Sequence, residues 1–219
     1  NDGSTDKTSE IISEAAEKNK RVIILTNKVN LGFVKSLNKG IDMALGKYIA
    51  RIDDDDFWSD SGKLENQVGF LESNPDYVLT GGGAICIGED GKEIARYLLP
   101  EKDAEIRKRI LFDNCFVHST VVFRKETWKT ASGYNEKFGV NCDWALWLEL
   151  GKFGKFYNFP EYFIYYLKWS QNSSNFNIRS DLKNMIEMRR DYRKDYPRYK
   201  KAFLLGWAYY FSSFFPCRQ

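Results

Sequence analysis

Residues 47–58, KYIARIDDDDFW, place a short apolar run directly before four consecutive carboxylates. The apolar residues predict a buried strand that ends in the acidic run 53–56. Because side chains alternate along an extended chain, we expect Asp53 and Asp55 to project to one side and Asp54 to the other. Paired carboxylates suit hard cations such as Mg2+ or Mn2+, which also take oxygens from a substrate diphosphate. A solvated acidic turn is the alternative, and the mutual repulsion of four adjacent carboxylates makes the metal site the preferred interpretation.

The residues before this stretch alternate predicted helices and strands. A helix runs from Ser4 or Asp6, as its cap, through about Asn19, and RVIIL at 21–25 predicts a buried strand. A second helix is predicted over residues 32–45. This order is typical of an α/β fold with a mainly parallel central sheet flanked by helices.

The chain begins with Asn1-Asp2-Gly3-Ser4, which is the turn and helix-cap chemistry of a loop that follows a strand. No strand precedes it, so we expect the first strand of the sheet to be missing. Ligands of open α/β sheets bind beyond the carboxyl ends of the strands. We therefore expect Asp2 and the acidic run 53–56 to face one crevice.

Length and composition bound the class of protein. With 219 residues, 43% of them hydrophobic, the chain can bury a sizeable core, most simply as one globular domain. The 33 basic and 30 acidic residues are too balanced to indicate a nucleic-acid partner. Four cysteines without C-x-x-C spacing predict free thiols in a reducing compartment. We expect a cytoplasmic protein.

Three spaced motifs resemble those of family 2 glycosyltransferases, an inverting group with the nucleotide-binding GT-A fold. NDGSTD at 1–6 resembles (D/N)DGS-x-D, residues 30–41 resemble N-x-G-x5-N-x-G-I, and ARIDDDD at 50–56 resembles R-x-D-x-D-D. The similarity continues to about residue 174 through His118-Ser119, Gly133-Tyr134-Asn135 and Asp143.

The resemblance implies a GT-A-like domain over residues 1–175 and a metal-dependent inverting transfer of a sugar. The donor would be a nucleotide-diphosphate sugar, with a UDP-sugar preferred, and the acceptor a hydroxyl of a glycan or of a lipid-linked sugar. The cofactor would be Mn2+ or Mg2+.

It also implies roles for five residues. Asp2 would bind the uracil or other base of the donor, or would merely cap the first helix. Asn38 would shape the helix against the donor, Asp53 would bind the ribose or assist the metal, and Asp55 would ligate the metal. Asp143 would be the general base that deprotonates the acceptor hydroxyl, with an ordinary helix N-cap as the alternative.

Two departures from the family pattern leave other functions open. Cys142 stands where the family commonly has Glu, and residues 165–169 lack the histidine that many members use as an extra metal ligand. Lys168 could neutralise diphosphate charge instead. A catalytically silent nucleotide-sugar-binding domain is therefore one rival. A sugar nucleotidyltransferase is the other, although it would need a Gly-rich phosphate loop near the first strand.

Residues 176–219 predict a helical C-terminal extension. A basic helical run over 181–201 precedes an aromatic run over 202–215, which is shorter than the ~18 to 20 residues that span a bilayer. A basic helix beside an aromatic patch is typical of an interfacial membrane anchor, here at the inner face of the membrane. The preferred alternative is a terminal helix that packs back on the domain.

Overall fold

The computed structural model describes residues 1–168 and 178–214. The chain divides into two compact units, Asn1–Leu45 and Gly46–Gln219. The domain boundary predicted after residue 175 lies outside the described residues, and it stays a prediction.

The first unit contains two helices, α1 (Thr8–Lys18) and α2 (Phe33–Met43). Lys7, and not the predicted Ser4 or Asp6, occupies the N-cap position of α1, although the carboxylate of Asp6 accepts a hydrogen bond from the amide of Thr8 at 3.0 Å. The strand predicted over residues 21–25 is wrong. This stretch forms no ladder, and Ile23 is exposed. Its apolar run lacks a neighbouring strand among the described residues, so propensity alone does not make it a strand.

The second unit holds a single sheet and most of the helices. Its strands are β1 (Tyr48–Ala50), β2 (Asp56–Trp58), β3 (Tyr77–Ile87), β4 (Glu93–Tyr97), β5 (Val122–Arg124) and β6 (Lys155–Leu167). The helices are α3 (Lys63–Ser73), α4 (Asp103–Arg109), α5 (Lys125–Thr130), α6 (Cys142–Leu150), α7 (Ile178–Asp191) and α8 (Tyr199–Ser212), with short 3-10 turns at His118–Thr120 and Glu136–Asn141. The strand order is β1-β5-β3-β6-β2, and β4 pairs with β3.

The α/β class is confirmed, but the expectation of a mainly parallel sheet is wrong for the described strands. Only β3 and β6 run parallel, whereas β1–β5, β2–β6, β3–β4 and β3–β5 are antiparallel. The connections explain the difference. A short turn joins β3 to β4, as an antiparallel pair allows, while the parallel β3–β6 pair is separated by a long crossover containing α4, α5 and α6.

Helix α6 lies at the centre of the core of the second unit. Its sequence, CDWALWLEL, is apolar on nearly every face, which is typical of a helix buried all round. Trp144 and Trp147 are almost fully buried, and the Trp147 ring contacts those of Phe116 and Phe123. Burial of each such aromatic side chain stabilises the fold by roughly 1.5 to 3 kcal/mol. The core therefore anchors the start of α6, where Asp143 lies.

Helix α7 packs against the second unit, as the preferred interpretation of the extension predicts. Arg189 is buried and donates to the carbonyls of Leu111 and Phe112 at 2.7 and 3.0 Å. After α7, the hydroxyl of Tyr196 donates to the Leu148 carbonyl at 2.8 Å. On α8, Leu204 remains exposed. Within residues 1–168 and 178–214, no helix is both long and apolar enough to cross a membrane.

Candidate active site

The acidic run forms a turn between β1 and β2. The amide of Asp56 donates to the Asp53 carbonyl at 3.3 Å, and Asp54 and Asp55 occupy the turn itself. The prediction that the strand extends through this run is therefore wrong, because β1 ends at Ala50.

Three of the four carboxylates in the acidic run lie close together, and one lies outside this group. The ligand oxygens of Asp53, Asp55 and Asp56 all lie within 4.8 Å of one another, whereas Asp54 is exposed. The structure thus brings Asp53 and Asp55 together as predicted, but it does so through the turn and not through strand alternation. It also adds Asp56, to which the sequence analysis assigns no role.

Arg51 and Ser119 hold Asp53 in place. The two terminal nitrogens of the Arg51 guanidinium each donate to one oxygen of the Asp53 carboxylate. Ser119 Oγ accepts from the Asp53 amide at 2.9 Å and donates to its carboxylate at 3.3 Å. Arg51 is buried, so this fork is a largely desolvated ion pair. Asp53 is consequently fixed in orientation and compensated in charge.

Asp56 is the most buried of the three carboxylates, with 6% of its surface exposed. Burial raises its pKa to about 6 against the lowering effect of a hydrogen bond with Ser119, and the charges of Asp53 and Asp55 raise it further. Its Oδ1 atom is buried and has no hydrogen-bond partner in the part of the chain that the structure describes. A buried carboxylate oxygen normally has a partner, so this atom is suited to a cation that shares the turn.

Asp143 lies in the first turn of α6. Asn141, and not Asp143, occupies the N-cap position, so the capping alternative is wrong. One oxygen of the Asp143 carboxylate accepts from the Trp144 amide at 2.6 Å, and the other accepts from Asn114 Nδ2 at 2.8 Å. Burial raises the pKa of Asp143 to about 6, against the opposing effects of these two hydrogen bonds and of the Arg51 charge. A carboxylate with this pKa is ionised at neutral pH and is still basic enough to take a proton.

His118 pairs with Tyr134 in the same unit. His118 Nε2 and the Tyr134 hydroxyl are 2.7 Å apart, and burial lowers the pKa of His118 well below its usual value. The nearby Arg51 charge acts in the same direction. His118 is therefore neutral at physiological pH and serves as a hydrogen-bonding group.

In the first unit, Asp2 fixes the loop that precedes α2. Its Oδ1 accepts from the amide of Leu31 at 2.7 Å and from Asn27 Nδ2 at 2.9 Å, while its Oδ2 accepts from the amide of Gly32 at 2.8 Å. These hydrogen bonds, led by that from Leu31, lower the pKa of Asp2. The suggestion that Asp2 caps the first helix is wrong, because Lys7 occupies the N-cap of α1 and the Asp2 carboxylate bonds to the loop before α2 instead. Its role toward a base stays a prediction.

Gly32 occupies the N-cap of α2 with φ at +86°, a conformation that favours glycine. Asn38 lies half-buried midway along α2. Its donor-shaping role stays a prediction, as does the convergence of Asp2 with the acidic run 53–56.

Several site residues are absent from the sequence-based assignment. Arg51 stands two residues before Asp53, a spacing that places both side chains on one side of an extended segment and could have indicated the pair. Asn114 carries no local signal, because its contact with Asp143 spans 29 residues. The stretch 165–169, which lacks the histidine of many family members, begins with Tyr165 in β6 and ends with Trp169, which lies outside the described residues.

Comparison with known proteins agrees with this geometry. The sequence profile of the family described as Glycosyl transferase family 2 matches residues 1–129. An uncharacterized glycosyltransferase of Haemophilus influenzae is 32% identical over 188 residues, which cover 81% of this chain and 58% of that protein. An amylovoran biosynthesis glycosyltransferase of Erwinia amylovora is 33% identical over 133 residues, covering 61% of this chain and 49% of the relative.

A solved mannosyltransferase from Pyrobaculum calidifontis, in complex with GDP-Man and Mn2+, has the same fold. Its TM-score is 0.64 at 14% identity, over 95% of this chain and 58% of that one. The chain spans about half the length of the curated relatives that it matches. The profile match covers more than half of the chain, and the resemblance inferred from the three motifs is confirmed: the chain belongs to family 2 of the glycosyltransferases.

Proposed function

We propose that this chain carries the catalytic site of an inverting glycosyltransferase, which moves a sugar from a nucleotide-diphosphate sugar to a hydroxyl of a glycan or lipid-linked acceptor. The observation that carries the proposal is the Asp143 carboxylate. It is half-buried, is held by two neutral donors and has a pKa of about 6. Inversion needs the acceptor hydroxyl to lose its proton as it attacks the anomeric carbon, and Asp143 is suited to accept that proton.

The acidic turn is suited to a divalent cation. Three carboxylates lie within 4.8 Å of one another, and the buried Oδ1 of Asp56 has no partner among the described residues. Oxygen ligands of this kind favour Mg2+ or Mn2+, and the Pyrobaculum relative was solved with Mn2+. We propose that Asp53, Asp55 and Asp56 hold the ion. When bound, it would neutralise charge on the leaving diphosphate.

Asp2 and Asn38 are the proposed donor-binding residues of the first unit. Asp53 is the proposed donor-binding residue of the second unit. The carboxylate of Asp2 is fixed by three donors and retains lone pairs that can accept an N–H from a base. Uracil and guanine both offer such an N–H. We keep a UDP-sugar as the preferred donor, and GDP is the informative competitor because the Pyrobaculum structure contains GDP-Man.

A glycan acceptor is supported by the relative that is named for amylovoran biosynthesis.

We propose a cytoplasmic location with peripheral contact at the inner face of the membrane. This contact is supported by the exposed Leu204, Tyr209, Phe211 and Phe214 of the C-terminal region, which follow a basic run. Binding to anionic vesicles tests it, and equal binding after removal of residues 202–219 would contradict it.

Release of free nucleoside diphosphate tests the proposed function against its rivals. The protein is incubated with a panel of nucleotide sugars, Mn2+ and sugar acceptors, and each product is quantified. We expect nucleoside diphosphate in proportion to transferred sugar. Binding without release would indicate a silent nucleotide-sugar-binding domain instead. Pyrophosphate-dependent formation of nucleoside triphosphate would indicate a nucleotidyltransferase.

A further inference from the structure

Among the described residues, one side chain donates a hydrogen bond to the Asp143 carboxylate, and that donor is itself held in a fixed orientation. Asn114 Nδ2 lies 2.8 Å from Asp143 Oδ2, while Asn114 Oδ1 accepts from the amide of Phe116 at 3.1 Å. A backbone N–H can only donate, so it selects the oxygen of the Asn114 amide and leaves the NH2 group to face Asp143. The orientation of the amide is therefore determined by its surroundings.

The loop that carries Asn114 is anchored to the core. Asn158 Nδ2 donates to the carbonyl of Cys115 at 2.9 Å and to that of Pro100 at 2.8 Å, and Asn158 is almost fully buried. The backbone segment that carries Asn114 is thus hydrogen-bonded to Asn158 of β6. Because the loop backbone is fixed, the Asn114 donor can hold the Asp143 carboxylate in one orientation.

We propose that Asn114 is a positioning residue, which aims the half-buried carboxylate of Asp143 and keeps it ionised. This inference rests on the proposed function of Asp143 as the base. A neutral amide is suited to the task, because it stabilises the carboxylate by one hydrogen bond without forming an ion pair that would make the group too weak a base.

Charged groups also affect the pKa of Asp143, whereas Asn114 is a neutral hydrogen-bond donor. Arg51 lowers its pKa, yet the Arg51 guanidinium is engaged by the carboxylate of Asp53, whose own charge raises it. Arg51, Asp53 and Tyr134 of other segments interact electrostatically with Asp143, as does Cys142, which precedes it in α6. Among the side chains of the described residues, Asn114 makes the hydrogen bond to Asp143.

Asn114→Asp separates positioning from a structural role. The new carboxylate can still accept from the Phe116 amide, but it no longer donates to Asp143, and the two carboxylates then titrate as a coupled pair. We expect the upper apparent pKa of the pair to rise by roughly one to three pH units above that of Asp143, by NMR titration of the aspartate carboxyl carbons. The acid limb of kcat/KM should move by the same amount, with a loss at pH 7 from about 2-fold for a rise of one unit to about 100-fold for a rise of three units, and this loss should be recovered at higher pH.

Two further variants complete the test. Asn135 is exposed and accepts from the amide two residues on, as Asn114 does, so Asn135→Asp adds the same charge to the same kind of turn and should leave the pH profile unchanged. Asn114→Ala removes the donor without adding charge, and it should raise the pKa of Asp143 even if Asn114→Asp folds poorly.

The outcomes distinguish this inference from the function on which it rests. A wild-type pKa of Asp143 in both Asn114 variants would overturn the inference, whatever the activity. A raised pKa with an unchanged pH profile would also overturn it, since Asn114 would then bond to Asp143 without serving transfer. Near-normal transfer by Asp143→Asn would instead refute the base assignment, and the NMR titration would still report on the contact.

Discussion

The acidic turn and the start of α6 each present a buried or half-buried carboxylate, and the fold compensates the two in opposite ways. Asp53 is forked by the buried guanidinium of Arg51 and is also bonded to Ser119. Asp143 receives only neutral donors, the amide of Trp144 and the side chain of Asn114. The first carboxylate is matched by a full charge, and the second by dipoles.

The difference suits two kinds of chemistry. A carboxylate paired with a guanidinium is held in its charged form and in one orientation, which suits binding but not proton transfer. Asp143 is desolvated and hydrogen-bonded to neutral donors, and its pKa of about 6 is close to the pH at which a base must work. We therefore expect substitutions at the two places to affect different steps.

Asp143→Asn should have the largest effect. Asparagine is isosteric but cannot accept the proton, and a general base contributes about 10²- to 10⁴-fold to the rate. We expect transfer to fall by at least ~100-fold while the affinity for nucleoside diphosphate stays near that of the wild type. Steady-state kinetics and calorimetry measure the two quantities. Loss of binding in parallel with transfer would contradict the division of roles.

Substitutions in the acidic turn should instead act mainly on metal binding. Asp56→Asn and Asp55→Asn each remove a proposed ligand charge, so we expect Mn2+ affinity to fall by roughly 10- to 100-fold, as measured by calorimetry or electron paramagnetic resonance. Asp54→Asn is the matched control, because it changes the same charge in the same turn at an exposed position outside the cluster. Equal losses in all three variants would indicate a diffuse electrostatic effect and no ligand set.

The identity of this turn is predictable from sequence, but its geometry is not. The four adjacent aspartates identify the site, and alternation selects Asp53 and Asp55 while leaving out Asp56. Alternation assumes that the strand continues, whereas β1 ends at Ala50 and the hydrogen bond from Asp56 to Asp53 closes a turn. Only tertiary contacts, such as that between the Asp53 amide and Ser119, show how this turn is held.

The base shows a second limit. Asp143 is identified through resemblance, and its position near the start of α6 follows from the apolar pattern of that helix. Its partner Asn114 belongs to a loop 29 residues earlier, and no periodicity links the two. The strand predicted at residues 21–25 fails for a related reason, because a β-prone run becomes a strand only where a partner supplies hydrogen bonds.

Lys63 differs from both carboxylates, because this buried amine has neither a counter-ion nor a hydrogen-bonding dipole among the described residues. Its side chain is fully buried, and its Nζ has no hydrogen-bond partner within the described ranges. The Nζ atom lies 4.6 Å from the ring centroid of Trp58 and 5.9 Å from that of Phe163. Burial lowers its pKa to about 7. The aromatic faces offset only part of the desolvation cost of the ammonium.

Lys63→Met should therefore stabilise the fold, by the smallest of the effects predicted here, about 1 kcal/mol at pH 7 or below. Between about pH 7 and the unfolded pKa of 10.5, the unfolded wild type binds more protons than the folded one, so its free energy of unfolding rises with pH. The gain from Lys63→Met should accordingly shrink as the pH rises through this window. Urea denaturation at several pH values measures it, with the exposed Lys108→Met as the control. A destabilised Lys63→Met variant, or a gain that does not vary with pH, would mean that the Lys63 ammonium is compensated after all.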